Sequence, residues 1–211
     1  MPLEYEYSFF DFDKKEIIRK IKEMKGLHKG TYLFRVQVFI HPQEKVGTYI
    51  RVRDEGFRTT MTYKYKEPNA KFENEHEINI DNFDTAVNIL LGVGCKKKYY
   101  YEKIREIWTV KNSEIVFDMN PGSDERMEIE SKTKSELDKM VKIFNIKPTE
   151  IENRYIYLFG LDIPKTLDLT FLNAKKDLLK YVKKNKKQFI ELVDEQLKTF
   201  KKLKSKSKIS K

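Results

Sequence analysis

Apolar and polar residues alternate with a period of two through much of the first 131 positions and recur at helical spacing in the remainder. A period of two is the signature of a strand with one buried and one wet face. It predicts strands at about 3–9, 31–40, 47–54, 58–66, 73–80, 97–110, 113–119 and 125–131. The connections HPQEK, DEGF, EPNAK, KNS and NPGSD are short and rich in turn formers, so the strands are expected to form antiparallel hairpins. A helix is expected near 13–25, behind Asp11 or Asp13, with Ile17, Ile18, Ile21 and Met24 on one face and Gly26 and Gly30 beyond its end. A second lies near 83–92, between Asp81 or Asn82 and the glycines Gly92 and Gly94. Helices are expected from Ser131 or Thr133 to about 145, from Thr149 to about 159, and as one long segment from about 173 to 203. The last carries Leu178, Leu179, Val182, Phe189, Ile190, Val193, Leu197 and Phe200 as an apolar stripe, and the closing KLKSKSKISK is expected to be disordered. Together these elements predict an α+β fold: a closed eight-stranded antiparallel β-barrel with flanking helices and a C-terminal helical extension.

Composition narrows the setting. With 211 residues, 36% of them charged, and no apolar run of about 20 residues, the chain is expected to be soluble, without a membrane span. Its first fifteen residues lack the basic and apolar regions of a secretory signal, and Cys95 is the sole cysteine, so a cytoplasmic, reducing location is expected. The net charge of +10 is not spread evenly: residues 172–211 hold fourteen Lys against four acids, a net of +10 that leaves the rest of the chain balanced. That tail is a candidate for holding RNA, although lysine-rich helix surfaces also serve solubility alone.

Candidate chemistry lies in the strands. Glu4 and Glu6, Arg51 and Arg53, Glu75 and Glu77, Lys103 and Arg105, and Glu128 and Glu130 are each spaced two apart. Each pair therefore projects to one side of a sheet, with its members about 6.5–7 Å apart. A single such pair is ordinarily a solvated face. Several in succession, acidic at both ends and basic between, would line a barrel bore that cannot be dry; a polyanion on the bases with a divalent cation between it and the acids satisfies both sets.

Taken in order, Glu4-x-Glu6, Arg35, Arg51-x-Arg53, Lys64, Glu75-x-Glu77, Lys103-x-Arg105, Asp118 and Glu128-x-Glu130 resemble the CYTH superfamily of triphosphate tunnel metalloenzymes. The likeness is clearest in EYEYSFFDFDKKEI, GTYIRVRDEG, EHEINIDNF, YEKIREIW and MEIES. It implies a tunnel domain over 1–171 and a basic extension over 172–211. It further implies that Glu4, Glu6, Asp118, Glu128 and Glu130 hold Mg²⁺ or Mn²⁺, that Arg35, Arg51, Arg53, Lys64, Lys103 and Arg105 cradle a triphosphate, and that Glu75 and Glu77 orient those bases or a water. Glu4, Glu6, Lys103 and Arg105 are then the catalytic set. Two departures stand out: Ser8 where the family commonly has Lys, and Val116 with a single Asp118 where many relatives carry two acids. Lys66 or Arg126 could compensate for the first. The implied function is metal-dependent hydrolysis of tripolyphosphate or of a nucleoside or organic triphosphate. Alternatives are a class IV-type adenylyl cyclase, an RNA 5′-triphosphatase using the basic tail, and a protein that binds triphosphate or polyphosphate without turnover, which Ser8 favours.

Overall fold

The computed structural model describes residues 5–43, 47–66, 74–148, 159 and 167–207. In chain order these form β1 (Tyr5–Phe9), α1 (Lys14–Glu23), β2 (Leu27–Ile40), β3 (Thr48–Asp54), β4 (Thr59–Tyr65), β5 (Asn74–Ile80), α2 (Phe83–Gly92), β6 (Lys96–Val110), β7 (Ser113–Met119), β8 (Arg126–Ser131), α3 (Lys134–Phe144), α4 (Ala174–Leu178) and α5 (Lys186–Ser207). The strands make one eight-stranded antiparallel sheet in the order β1-β8-β7-β6-β2-β3-β4-β5. Among the described residues no ladder joins β1 to β5, so the expected barrel is a curled, tunnel-like half-barrel rather than a hydrogen-bonded cylinder. Both edges turn carboxylates to the same side, Glu6 on β1 and Glu75 and Glu77 on β5. A closing ladder would set those like charges side by side.

The two faces of the sheet differ sharply. On the convex side, Phe9, Trp108, Ile115, Phe117, Met127 and Ile129 meet Ile17 and Ile21 of α1 and Leu137, Met140 and Phe144 of α3 in one buried cluster. Side chains of this size stabilise by about 1.5–3 kcal/mol each when fully buried, so this face supplies much of the driving force for folding. The helices start where short polar side chains can cap them: Asp13 accepts from Lys15 N and Glu16 N, Asn82 from Thr85 N, and Thr133 from Glu136 N. α2 covers Phe39 and Val52 through Phe83, Ala86, Val87 and Leu90. The concave side is left to charge.

Beyond α3 the chain departs from the sequence expectation. Of the helix expected at 149–159, only Phe159 is among the described residues. The long helix expected from 173 is broken: a 3₁₀ turn at Leu179–Tyr181 follows α4, Asn185 adopts a left-handed φ of 54°, and α5 then runs to Ser207. Within the break, Lys183 N and Lys184 N donate to Phe159 O. α5 thus also extends into the tail expected to be disordered; residues 208–211 lie outside the described set. Ahead of α4, Leu169 forms a parallel bridge to β6, donating to Tyr100 O and accepting from Glu102 N. No helix among the described residues is long and apolar enough to cross a membrane.

Candidate active site

Strand register decides which charged side chains meet. Opposed residues on adjacent strands share a face, and Arg105 lies opposite both Asp118 and Tyr32, Lys103 opposite Phe34, Arg53 opposite Thr60, Arg51 opposite Thr62, and Lys64 opposite Glu75. Glu6 is opposite Glu130, and Ser8 opposite Glu128. The pairs read from sequence as two-apart, as far as they lie among the described residues, therefore come together on the concave face. Arg53 from β3 and Lys103 and Arg105 from β6 converge on the Phe34 ring, 5.8, 5.4 and 5.6 Å from its centroid. Phe34 is buried, so the three cations rest on an apolar floor shared with Ile107 and Val116.

At the centre is Asp118, 0% exposed. It accepts from Lys103 Nζ at 2.7 Å and from Arg105 Nε and Nη2 at 2.6 and 2.5 Å, with Arg126 Nη2 at 3.3 Å. Glu128 accepts from Arg105 Nη2 and pairs with Arg126, each at 2.5 Å. Burial alone would push both carboxyls up, but the charges of Arg105 and Lys103 hold Asp118, and those of Arg126 and Arg105 hold Glu128, below the usual carboxylate range. Lys103, 4% exposed and beside Arg105, is pushed down to about 7 by burial despite Asp118. Arg105 stays charged throughout, since Asp118 and Glu128 outweigh its desolvation.

The other half of the face is paired more evenly. Lys64 meets Glu75 at 2.7 Å, Arg53 meets Glu55 at 2.7 Å and Glu77 at 3.0 Å, and Thr62 Oγ1 donates to Glu77 at 2.9 Å. Arg51 approaches Glu75 and Glu77 only to 3.8 and 3.9 Å. Its Nε, like that of Arg126, is buried without a hydrogen-bond partner. A buried donor left unmatched costs about 1–3 kcal/mol, and an incoming anion would remove that cost.

Arg35 does not join this set. It lies opposite Asp54 and Glu102 on the convex face, donates to Asp54 at 2.8 Å and stacks on Phe83 of α2. Its position in the alternation, one residue off Phe34 and Val36, dictates this. Glu4 lies outside the described residues.

A sequence profile of the CYTH domain matches residues 3–156. The chain belongs to the CYTH family. Its fold is shared with solved structures at low identity: the PH1012 protein of Pyrococcus horikoshii OT3 (21% identical, TM-score 0.57, covering 74% of this chain and 98% of that one); the PH1819 protein of the same organism (20%, 0.56, 70% and 93%); and a provisionally assigned adenylate cyclase from Vibrio parahaemolyticus (16%, 0.60, 74% and 98%). At these identities the likeness is one of fold. No curated protein matches the chain in sequence.

For a divalent cation, the CYTH donor set fits in part. Glu6 and Glu130 face each other across β1 and β8, with Glu128 next along the same face, and all are hard oxygen donors suited to Mg²⁺ or Mn²⁺. Asp118 and Glu128 fit less well, because their oxygens are already engaged, those of Asp118 by Lys103 and Arg105 and those of Glu128 by Arg105 and Arg126. Among the described residues no three His, Cys, Asp or Glu side chains converge closely enough to hold a metal.

Four residues beyond the sequence-read cradle and metal sets belong to the site, one of them, Arg126, read from sequence only as compensation for Ser8. Arg126 heads β8 opposite Asp118, diagonally adjacent to Ser8, and so brings a cation to the strand pair that lacks the usual lysine. Glu114 is opposite Glu130, extending the Glu6–Glu130 row to β7, and burial raises its carboxyl above the ordinary range. Glu55 is buried in the β3–β4 turn between Arg53 and Arg58, both at 2.7 Å. Phe34 is the fourth. Arg126 and Glu114 were accessible by counting in twos from Glu128 and Asp118; Glu55 and Phe34 carried no signal beyond being turn acid and strand apolar.

Proposed function

We propose that this CYTH chain is a divalent-metal-dependent triphosphatase that hydrolyses tripolyphosphate or a nucleoside or organic triphosphate on the concave face. The observation that carries the reading is the buried cation belt, Arg51, Arg53, Lys103, Arg105 and Arg126, which retains unmatched Nε–H donors at Arg51 and Arg126. Family membership supports the reaction class, since CYTH enzymes are usually triphosphate hydrolases.

In this reading Arg105 and Lys103, fixed by Asp118, hold the phosphate oxygens at the centre of the sheet. Arg51 and Arg53 extend the cradle toward β4 and β5, where Lys64 is steered by Glu75 and Arg53 by Glu77. Glu6, Glu128 and Glu130, with Glu4, would hold Mg²⁺ or Mn²⁺, which supplies positive charge to the phosphate oxygens and helps orient an attacking water. Phosphoryl transfer asks little covalent work of the protein, so positioning and charge stabilisation supply most of the rate. Phosphate release from tripolyphosphate, ATP, GTP, thiamine triphosphate and triphosphate-ended RNA, with Mg²⁺ or Mn²⁺ and scored also for cyclic nucleotide, tests the reading. Metal-dependent release from at least one substrate is expected; cyclic nucleotide as the main product would make the chain a cyclase.

Ser8 favours a second reading, a triphosphate-binding protein without turnover, because β1 lacks the cation that commonly accompanies the acidic pair. Tight binding with no release, in the same assays, would select it.

A further inference from the structure

The turn joining β7 to β8 is the one that carries Asp118 at its start and Arg126 at its end, and it is not solvated. Pro121, Gly122 and Ser123 are all buried. What covers them comes from beyond the residues matched by the family profile. Gln196, in the middle of α5 and 4% exposed, makes three hydrogen bonds to this turn. Its Oε1 accepts from Gly122 N at 2.8 Å, and its Nε2 donates to Asn120 O at 3.0 Å and Ser123 O at 2.7 Å. The side-chain amide is thus used on both of its ends, as a buried amide must be. Leu178 of α4 and Phe189 of α5 close the turn from above. A Cβ built on Gly122, whose φ is +75°, would lie 2.4 Å from Leu178 Cδ1 and 3.3 Å from Phe189 Cε2. Only glycine serves there, on grounds of both space and backbone.

The same segment braces the strand that carries Lys103 and Arg105. Phe171 and Phe200 stack at 5.1 Å and bury against Ile104, and Glu102 accepts from Phe171 N at 3.0 Å. Both elements that present cations to Asp118 are therefore held from behind by residues 167–207.

We propose that Gln196 is a positioning residue for the anion cradle: by clamping the β7–β8 turn it sets the spacing of Asp118 and Arg126 against Lys103 and Arg105, and so tunes triphosphate binding. This rests on the functional reading above. It makes the basic extension a structural partner of the site rather than an appendage, whatever its lysines do. An amide suits the role because it matches one donor and two acceptors at once; an apolar residue would take away the Gln196 partners of the buried Gly122 N–H and Ser123 C=O, while Asn120 O would keep the hydrogen bond from Ser123 N.

The test uses the full chain and Gln196→Leu. Amide hydrogen exchange over 119–126, thermal unfolding, and tripolyphosphate affinity with Mg²⁺ by calorimetry are measured below the unfolding transition. The variant should stay folded with a lower Tm, exchange the turn amides about tenfold faster, and bind tripolyphosphate about tenfold more weakly. Where turnover is observed, kcat and KM should both change in the folded variant, an effect that lost global stability alone would not produce. If Gln196→Leu does not fold, Gln196→Ala, which leaves room for water to bridge the turn groups, replaces it with smaller shifts in the same direction. Lys175→Ala, which removes an exposed ion pair with Asp194 on the same helix pair, should leave exchange of the turn and affinity unchanged. A folded variant with wild-type affinity, or with wild-type turn protection, overturns the proposal. A wild-type chain that binds no triphosphate defeats the functional reading instead, and this role with it, even if the exchange data show the clamp.

Discussion

The two halves of the concave face neutralise their cations differently. On β3, β4 and β5 the cations meet acids roughly one to one: Lys64 with Glu75, Arg53 with Glu55 and Glu77, and Arg51 at the margin of Glu75 and Glu77. On β6, β7 and β8 a single fully buried acid, Asp118, is approached by Lys103, Arg105 and Arg126, with Glu128 taking a second share of the two arginines. Three cations thus lean on one carboxylate, and the geometry of the β6–β8 half depends on that residue. The β3–β5 half can release a cation to an incoming phosphate with less disturbance, since each acid there has an alternative partner.

The sharpest way to break this contrast is to remove the shared acid. Asp118→Asn leaves buried cations without their main counter-charge and should lower stability by about 3–5 kcal/mol, read from the denaturant midpoint. Glu77→Gln, in the half with alternative partners, should cost about 1 kcal/mol. Equal losses would show that the two halves share one network. Next in size is affinity: Arg105→Ala should weaken tripolyphosphate binding by about 2–3 kcal/mol and Arg53→Ala by about 1.5, with little effect of either on monophosphate binding. If neither substitution matters, the cradle is elsewhere.

A smaller effect is set by pH. Lys103 is pushed down to about 7 by burial and by Arg105, so triphosphate affinity should fall as pH rises from about 6 to 8.5 and the amine loses its proton. The sign for stability is opposite: with the folded value below the unfolded one, the unfolded chain binds the extra proton between about 7 and the ordinary lysine value. Stability from this group is then present at high pH and lost as pH falls through about 7. Lys103→Arg should flatten the affinity profile, as measured by calorimetry across that range. The smallest effect belongs to Arg35→Gln. On the convex face, in a half-exposed pair with Asp54, it should change affinity by less than about 0.5 kcal/mol.

Much of this was legible in the strand periodicity. The eight strands lie close to where alternation put them, and the two-apart pairs share a face because a strand allows nothing else. Family order suggested a cradle role for Arg35, whereas its parity in β2, one residue from Phe34, puts it on the convex face. The break in the C-terminal helix was hidden because Asn185 and its neighbouring lysines read as an ordinary solvated stretch, whereas the carbonyl of Phe159, distant in sequence, accepts from Lys183 N and Lys184 N.

The sequence by itself determined the alternation, the faces and the charges, since these follow from local geometry and side-chain type. Only the tertiary structure decided that no ladder would join β1 to β5 among the described residues, that three cations would share Asp118 over the Phe34 ring, and that Gln196 would reach the β7–β8 turn from 73 positions away. Each of those depends on register and packing between segments far apart in the chain. Such contacts are chosen by the free energy of the whole assembled core, not by any residue's own preference.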